Sequence, residues 1–247
     1  MSQAEEKTDS AEERVDPAAV AVELRRFVED LVIFEGRRFT MPAAALEEME
    51  EMKGVPPSAS SAADELERFR EEICDCTRCE LGQTRQQFVF GTGHPEAGIR
   101  FIGEAPGADE DRQGEPFVGA AGQLLTKIIE AMGMSREEVF ICNVLKCRPP
   151  NNRDPQPGEV AECEPYLKRQ IEIVRPKIIC TLGRIAAQVL LKSSESMGRM
   201  RGRLHEYEGI PVICTYHPAA LLRNASWKRP TWEDMKWLRR EYDGVEL

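Results

Sequence analysis

The chain has 247 residues, of which 41% are hydrophobic and 31% are charged. That composition supplies enough apolar side chains for a full core, and it excludes a fibrous or wholly disordered protein. No apolar run approaches the ~18 to 20 residues that span a bilayer, and the acidic start lacks the basic and apolar parts of a signal peptide. We therefore expect a soluble, cytoplasmic protein with no membrane partner.

The net charge of −10 belongs to the first part of the chain. Residues 1–72 hold 19 acidic and 9 basic side chains, whereas residues 73–247 hold 24 of each. A neutral domain can still carry a local basic surface, so the charge argues against general coating of polyanions and leaves a specific DNA site open. Candidates for such a surface are Arg148, Arg153, Arg184, Arg199, Arg201 and Arg203.

Composition divides the chain near residue 62. Residues 1–16 are polar and acidic, which predicts a disordered tail. Helical periodicity in residues 17–53 predicts a small helical extension, and the Gly, Pro and Ser content of residues 54–61 predicts a linker. Residues 62–247 are then expected to form the main domain.

Within the main domain, short apolar strands alternate with amphipathic helices. Strands are predicted over Ile99 to Glu104, Val139 to Leu145, Lys177 to Leu182 and Pro211 to Tyr216. Helices are predicted near residues 62–73, 119–132, 157–173, 184–192 and 231–240. Buried strands separated by helices of this length predict an α/β fold, a three-layer α/β/α sandwich with a central, mostly parallel four-stranded sheet.

Polar or glycine-rich residues follow each predicted strand. An open parallel sheet binds its ligand beyond the carboxyl ends of its strands. Here the first strand leads into Gly103 to Gly107, the second ends in Asn143, and the fourth leads into His217 and Pro218. The sequence therefore predicts one site at this edge of the sheet.

Eight cysteines all lie after residue 73, and four of them have a spacing that suggests metal binding. Cys76 and Cys79 form a C-x2-C pair, and Cys147 and Cys163 follow at a wide spacing. Closely spaced thiols in a cytosolic chain more often bind metal than form disulfides. Four thiolates can hold a zinc ion or an iron–sulfur cluster, and the wide second spacing weakens the zinc alternative. Cys74 is a spare thiol beside the first pair.

The segment after the first strand has the features of a loop that touches a ligand. Glycines between a strand and a helix let the backbone approach a ligand closely. The segment lacks the glycine order of a dinucleotide site and the Gly-Lys-Ser/Thr of a P-loop. Glu104 at the strand end and His217 after the fourth strand are candidate functional side chains, although either could serve the structure alone.

These segments together resemble the family 4 uracil-DNA glycosylases, the iron–sulfur branch of the uracil-DNA glycosylase superfamily. The similar strings are GEAPGADEDRQGEPFVGAAGQLL, ICNVLKCRPPNNRDP, CTLGRIAAQVLL and YHPAALLRN, in unbroken order over residues 73–240. The resemblance implies a monofunctional glycosylase that hydrolyses the N-glycosidic bond of a flipped-out deoxyuridine in base-excision repair, leaving an abasic site. The implied partner is uracil-containing DNA, single- or double-stranded, bound by a monomer.

The resemblance also implies roles for individual residues. A 4Fe-4S cluster would be bound by Cys76, Cys79, Cys147 and Cys163. Phe117 would stack on the flipped uracil, Asn143 would hydrogen-bond its O4 and N3–H edge, and His217 would donate to O2.

At the end of the first strand, Gly103, Glu104 and Ala105 would line the uracil pocket. Other branches of the superfamily have a carboxylate or an amide at the position of Ala105, so the nearest carboxylate here is Glu104. We expect Glu104 to position the attacking water or to stabilise the sugar cation. Glu110 is expected near uracil C5, where it would exclude the methyl group of thymine.

DNA contacts are expected just after His217. The backbone at Pro218 would meet a phosphate, and Leu221 or Arg223 would enter the gap left by the flipped base. Residues 17–53 are a candidate binding segment for a repair or replication protein. Three alternatives remain open: a non-catalytic iron–sulfur protein that binds DNA or senses redox state, a zinc-stabilised nucleic-acid module, and a glycosylase for another deaminated base.

Overall fold

The computed structural model describes residues 61–244. The predicted tail, the helical extension and all but the last residue of the linker lie outside the described residues, so the divisions at 1–16, 17–53 and 54–61 stay predictions. No helix in the described part of the chain is both long and apolar enough to cross a bilayer.

Six strands and nine α-helices make up the described part of the main domain. The strands are β1 (Thr92–Gly93), β2 (Ile99–Gly103), β3 (Phe140–Asn143), β4 (Ile178–Leu182), β5 (Leu204–Tyr207) and β6 (Ile210–Thr215). The helices are α1 (Ala62–Ile73), α2 (Leu81–Thr84), α3 (Ala108–Gln113), α4 (Ala120–Ala131), α5 (Pro157–Val174), α6 (Arg184–Leu191), α7 (Met197–Met200), α8 (Pro218–Arg223) and α9 (Lys228–Asp243). Two short 3-10 turns, Pro150–Asn152 and Ala225–Trp227, complete the order.

The strands form one sheet in the order β1-β3-β2-β4-β6-β5. The four central strands are parallel, which confirms the predicted α/β sandwich and its central strands. The sheet is wider than predicted because β1 and β5 add antiparallel edges. Both are short and half exposed, so they lack the continuous apolar run that identifies β2, β3 and β4.

Helices cover both faces of the sheet and enclose two apolar cores. On one face, α1, α5 and α6 contribute side chains such as Leu66, Leu167 and Leu190. On the other face, α4 and α9 contribute Leu125 and Leu238, both with no exposed surface. Truncating one such leucine to alanine costs about 2–5 kcal/mol, so these cores fix the strand ends on which the site is built.

Candidate active site

A cavity of about 390 Å³ opens where β2, β3 and β6 end. Its position follows the rule that open parallel sheets bind ligands beyond their carboxyl strand ends. The residues that line it are Glu104, Ala105, Pro106, Gly107, Glu110, Phe117, Ala121, Asn143, Pro149, Asn152, Arg153, Asp154, His217, Ala219 and Arg223. The structure therefore brings together most of the side chains that the sequence assigned to the base pocket.

Phe117 forms one wall of the cavity and stacks beside His217. Their ring centroids are 5.5 Å apart and the ring planes differ by 29°. Phe117 has a φ of 54°, in the left-handed region, which costs of order 1–3 kcal/mol for a residue with a Cβ. Gly122 leaves the space for this turn, because a Cβ there would lie 1.8 Å from the Phe117 carbonyl oxygen. The local backbone is thus built around the orientation of one aromatic ring.

Gly103 leaves open the floor of the cavity. A Cβ at this position would lie 2.4 Å from Oδ1 of Asn143 and 2.6 Å from Cζ of Phe117. The close approach explains why the strand ends in glycine here. It also shows that the amide and the aromatic ring stand side by side over the end of β2.

Asn143 presents an unpartnered acceptor at the end of β3. The side chain is 2% exposed, and its Oδ1 has no hydrogen-bond partner within residues 61–244. A buried acceptor without a donor costs about 1–3 kcal/mol, which a ligand N–H would recover. This atom is the strongest sign that the cavity binds a molecule with a planar polar edge.

His217 is held as a neutral donor. Its Nδ1 accepts a hydrogen bond from the backbone N–H of Ala219 at 3.1 Å, so the ring proton of the neutral form lies on Nε2. Burial lowers the pKa of His217 to about 4, and the nearby Arg223 guanidinium lowers it in the same direction. At neutral pH the imidazole is therefore uncharged and offers one N–H.

The pKa of Glu104 is raised, whereas that of His217 is lowered. Burial raises the pKa of its carboxyl from 4.5 to about 7, the carboxylate of Asp154 also raises it, and the guanidinium of Arg184 lowers it. Asp154 and Arg184 form an ion pair of 3.1 Å between Oδ2 and Nη2. Sequence reasoning did not connect this pair with Glu104, because no spacing pattern links residues 50 and 80 positions apart. A carboxyl group that titrates near neutrality is suited to proton or charge chemistry.

Glu110 lines the cavity but also organises the loop that carries Phe117. Its Oε1 accepts from the backbone N–H groups of Val118 and Gly119, both at 2.9 Å, and its Oε2 accepts from Gly107 at 3.1 Å. One carboxylate thus joins the starts of α3 and α4. No pattern in the sequence indicates this structural role, which is separate from the expected contact with uracil C5.

The expected DNA-contacting residues differ in their exposure. Leu221 is 2% exposed, so its burial does not fit the role predicted for it, whereas the next residue, Leu222, is 52% exposed. Arg223 is exposed and lines the cavity, and Pro218 is the first residue of α8.

Four of the six candidate arginines for a basic surface form ion pairs. Those pairs join Arg153 to Glu159, Arg184 to Asp154, Arg201 to Asp234 and Arg203 to Glu195. Of the remaining two, Arg148 donates to the neutral side chain of Asn152 at 2.8 Å. These pairings reduce the net positive charge that the predicted basic surface would offer to DNA.

Four cysteines, Cys76, Cys79, Cys147 and Cys163, are called the cysteine group below. They lie between α1 and α2, after β3, and in α5. Three of their sulfurs accept hydrogen bonds: Cys76 from the Tyr166 hydroxyl at 3.2 Å, Cys147 from Arg85 at 3.4 Å, and Cys163 from the Lys146 backbone N–H at 3.3 Å. Cys74 is directed elsewhere, because its thiol donates to the carbonyl of Glu71 at 3.3 Å.

Four thiols are a donor set that suits either a zinc ion or an iron–sulfur cluster. Zinc binds sulfur at about 2.3 Å, so its ligands converge on one point. Among the residues that the structure describes, no three cysteine, histidine or acidic side chains converge in this way. The thiolates of an iron–sulfur cluster each bind a different iron, so their sulfurs stand further apart. Burial raises the pKa of the Cys163 thiol to about 11, so a bound metal would have to displace its proton.

Comparison with known proteins agrees with this geometry. The model of the uracil DNA glycosylase superfamily matches residues 90–238. The type-4 uracil-DNA glycosylase of Sulfurisphaera tokodaii is 48% identical over 185 residues, which are 71% of this chain and 84% of that protein. The type-4 enzyme of Archaeoglobus fulgidus is 46% identical over 70% of this chain and 91% of its own length. The type-4 enzyme of Thermotoga maritima is 45% identical over 65% and 85% of the two chains. This chain therefore belongs to the uracil-DNA glycosylase superfamily and, within it, to the type-4 uracil-DNA glycosylases.

Proposed function

We propose that the cavity binds a uracil base flipped out of DNA and that its side chains hydrolyse the N-glycosidic bond. Uracil-DNA glycosylase activity in base-excision repair follows from the family. The roles of the individual residues are proposed here from the geometry. A base inside a duplex cannot be reached, so the nucleotide must be extruded into a pocket that reads its Watson–Crick edge.

The amide of Asn143 distinguishes uracil from cytosine. Its unpartnered Oδ1 accepts the N3–H of uracil, and its amide N–H donates to O4. Cytosine has an amino group at C4 and a bare N3, so the same fixed amide would leave buried groups unpaired. Phe117 stacks on the face of the base, as the ring stands beside Asn143 over Gly103. The proposal depends above all on this unpartnered acceptor.

His217 stabilises the charge that develops on the leaving base. As the glycosidic bond breaks, negative charge accumulates on the uracil O2, and the Nε2–H of a neutral imidazole donates to it. A well-placed donor of this kind is worth about 3–4 kcal/mol. The backbone N–H of Ala219 fixes the tautomer that this role requires.

Glu104 acts on the sugar side of the reaction. In its ionised form the carboxylate stabilises the sugar cation or accepts a proton from the attacking water. Its burial, together with the charges of Asp154 and Arg184, sets the pH at which it ionises. The products are uracil and an abasic site. Glu110, which lines the cavity, is proposed to stand near C5 of the base and to exclude the methyl group of thymine.

A 4Fe-4S cluster is proposed for the cysteine group. When bound, it would join the loop before α2, the segment after β3 and helix α5 covalently, and so support the cavity wall that includes Pro149 to Asp154. The hydrogen bonds that three of these sulfurs accept support this assignment. A cluster of this kind and a DNA substrate both favour the cytoplasm as the place of action.

DNA contacts are proposed for the turn after the cavity. Arg223 contacts the strand that carries the lesion, and the backbone at Pro218 contacts a phosphate. The exposed Leu222, and not the buried Leu221, fills the gap in the base stack. The family match begins only at residue 90, which supports a separate role for residues 17–53, for which we propose binding to a repair or replication protein. Deletion of residues 1–60 should therefore leave uracil release by the purified protein unchanged.

The proposal is tested by release of uracil from an oligonucleotide with a single deoxyuridine. Cleavage is expected at uracil and not at thymine or cytosine in matched oligonucleotides. Asn143→Ala should lower the single-turnover rate by a factor of at least ten, and Gln123→Ala, an exposed change on α4, should have no effect. An Asn143→Ala protein that cleaves as fast as the wild type would refute the assigned reading residue.

A further inference from the structure

Two cationic side chains are fully buried beside Gln170 of α5. Arg100 in β2 and Lys146 after β3 both have 0% of their surface exposed. Their hydrogen bonds within residues 61–244 go to neutral oxygens and to sulfur, and none goes to a carboxylate. Nε and Nη1 of Arg100 have no partner in that part of the chain. Buried positive charge without an opposite charge is costly, so a nearby source of negative charge would stabilise this pair.

Gln170 holds the two cations next to each other. Its Oε1 accepts from the Lys146 ammonium at 2.6 Å and from Nη2 of Arg100 at 3.1 Å. Its Nε2 donates to the carbonyl of Phe90 at 2.9 Å, which fixes the orientation of the amide. One neutral oxygen thus faces two positive groups. Such an arrangement holds two positive groups together without supplying a full negative charge to balance them.

Lys146 contacts both functional regions at once. Its backbone N–H donates to the sulfur of Cys163 at 3.3 Å, and its ammonium donates to the backbone carbonyl of Asn143 at 2.8 Å. Arg100 reaches the same strand, because its Nη2 donates to the sulfur of Cys142 at 3.2 Å. Lys146 therefore connects the cysteine group to the base-reading amide, and Arg100 joins it through the shared contact with Gln170.

We propose that Lys146 and Arg100 balance the negative charge of the cluster, and that Lys146 is a positioning residue which holds the backbone of Asn143 in place. This inference rests on the proposed function, since it needs both the cluster and the base-reading amide. Four thiolates outweigh the positive charge of the iron–sulfide core, so the cluster is a net anion of the kind that this buried pair lacks. The cysteine site thereby contributes to uracil recognition without touching the base.

The proposal makes two separable predictions for a neutral residue at position 146. Loss of a nearby positive charge favours the oxidised cluster, so the reduction potential should become more negative. Loss of the ammonium also releases the Asn143 carbonyl. A small displacement of a group that orients the substrate lowers the chemical rate, by about tenfold or more, with little effect on DNA affinity.

The first experiment compares Lys146→Met with Lys168→Met in the intact, cluster-containing protein. Lys168 is the matched control because it is exposed, pairs with Glu208 and lies in the same helix as Cys163. Spectroelectrochemistry gives the cluster potential, and single-turnover uracil release and DNA binding are measured on the same samples. We expect Lys146→Met alone to lower both the potential and the rate, with an unchanged Kd for DNA.

Gln170→Glu keeps the proposal testable if Lys146→Met does not fold. The new carboxylate would lose the hydrogen bond to the Phe90 carbonyl but would pair with Arg100 and Lys146 directly. The charged pairing offsets that loss, so the protein should fold and assemble its cluster. The pair would then have less positive charge to offer the cluster, and the potential should again become more negative.

The possible results separate this inference from the proposed function. A wild-type protein that is colourless, or that is brown and releases no uracil, would overturn the proposed function and this inference with it. A brown, active wild type whose Gln170→Glu variant has the wild-type potential would overturn the charge balance alone. A Lys146→Met variant with a lowered potential and the wild-type rate would overturn the positioning role.

Discussion

The pH dependence of uracil release should report the ionisation of Glu104. Burial, with the help of Asp154, raises the pKa of this carboxyl to about 7. If the carboxylate is the active form, the rate reaches its plateau above pH 7 and falls as the pH drops through that value. For a single group with a pKa of about 7, about 3% of the molecules are ionised at pH ~5.5. His217 does not interfere in this range, since its pKa lies at about 4 and the ring stays neutral.

Two neighbouring substitutions should move this profile in opposite directions. Asp154→Asn removes a charge that raises the pKa of Glu104. The fall in rate on the acidic side of the profile, called the acidic limb, should therefore shift to lower pH. Arg184→Gln removes a charge that lowers it, so the limb should shift to higher pH. Glu104→Gln should be slow and lack the limb, whereas Glu96→Gln, an exposed change, should keep the wild-type profile.

The assay is single-turnover release of uracil from a single-stranded oligonucleotide at saturating enzyme, from about pH 5 to about pH 9. Saturation removes the contribution of DNA binding, which itself depends on charge. A rate that is constant from pH ~5.5 to pH ~8 would refute the reasoning. Shifts of the same sign for Asp154→Asn and Arg184→Gln would contradict the electrostatic explanation even if a limb is present.

Three further predictions concern the base pocket, the DNA turn and the metal site. Gly103→Ala should abolish uracil release from a folded protein, because the new methyl group would lie 2.4 Å from Oδ1 of Asn143. Gly158→Ala is the control and should leave uracil release unchanged, because a Cβ there meets nothing within 4 Å. Leu222→Ala should weaken cleavage of double-stranded DNA more than cleavage of single-stranded DNA. The stability of the folded protein should not change, because the side chain is 52% exposed. Equal losses on both substrates would count against a role in filling the base stack. Cys74→Ser should purify with the brown colour expected of the wild type, because the Cys74 thiol is directed to the Glu71 carbonyl. A colourless product would indicate that Cys74 is a cluster ligand.

The central strands could be predicted from the sequence because each is a run of residues buried on both faces. Every residue of β2, β3 and β4 is buried, and a continuous apolar run between helices is the pattern for a parallel sheet. The edge strand β5 alternates between exposed and half-buried residues and carries no such signal. Helix α9 begins three residues before its predicted start, since Lys228 and Arg229 are charged and give no apolar periodicity.

The sequence can indicate which residues lie close together where the backbone topology alone determines their neighbours. Parallel strands place Gly103 and Asn143 opposite each other in register, so their convergence follows from strand order. Contacts set by side-chain conformation were not accessible in this way. In the six-residue helix α8, one position of difference turns a side chain by about 100°, and nothing in the sequence showed that Leu221 faces inward and Leu222 outward.

The two edges of the sheet bear on how the protein behaves at high concentration. An exposed strand edge offers unpaired N–H and C=O groups to the edge of another molecule, which is a common start of aggregation. Here β1 pairs with β3 over only two residues, and β5 pairs with β6 over four. In the second pair, Pro211 of β6 lies opposite Glu206 of β5. Such short edges give an incoming strand little to extend. We therefore expect the described part of the chain to have little tendency to associate through the edges of its sheet.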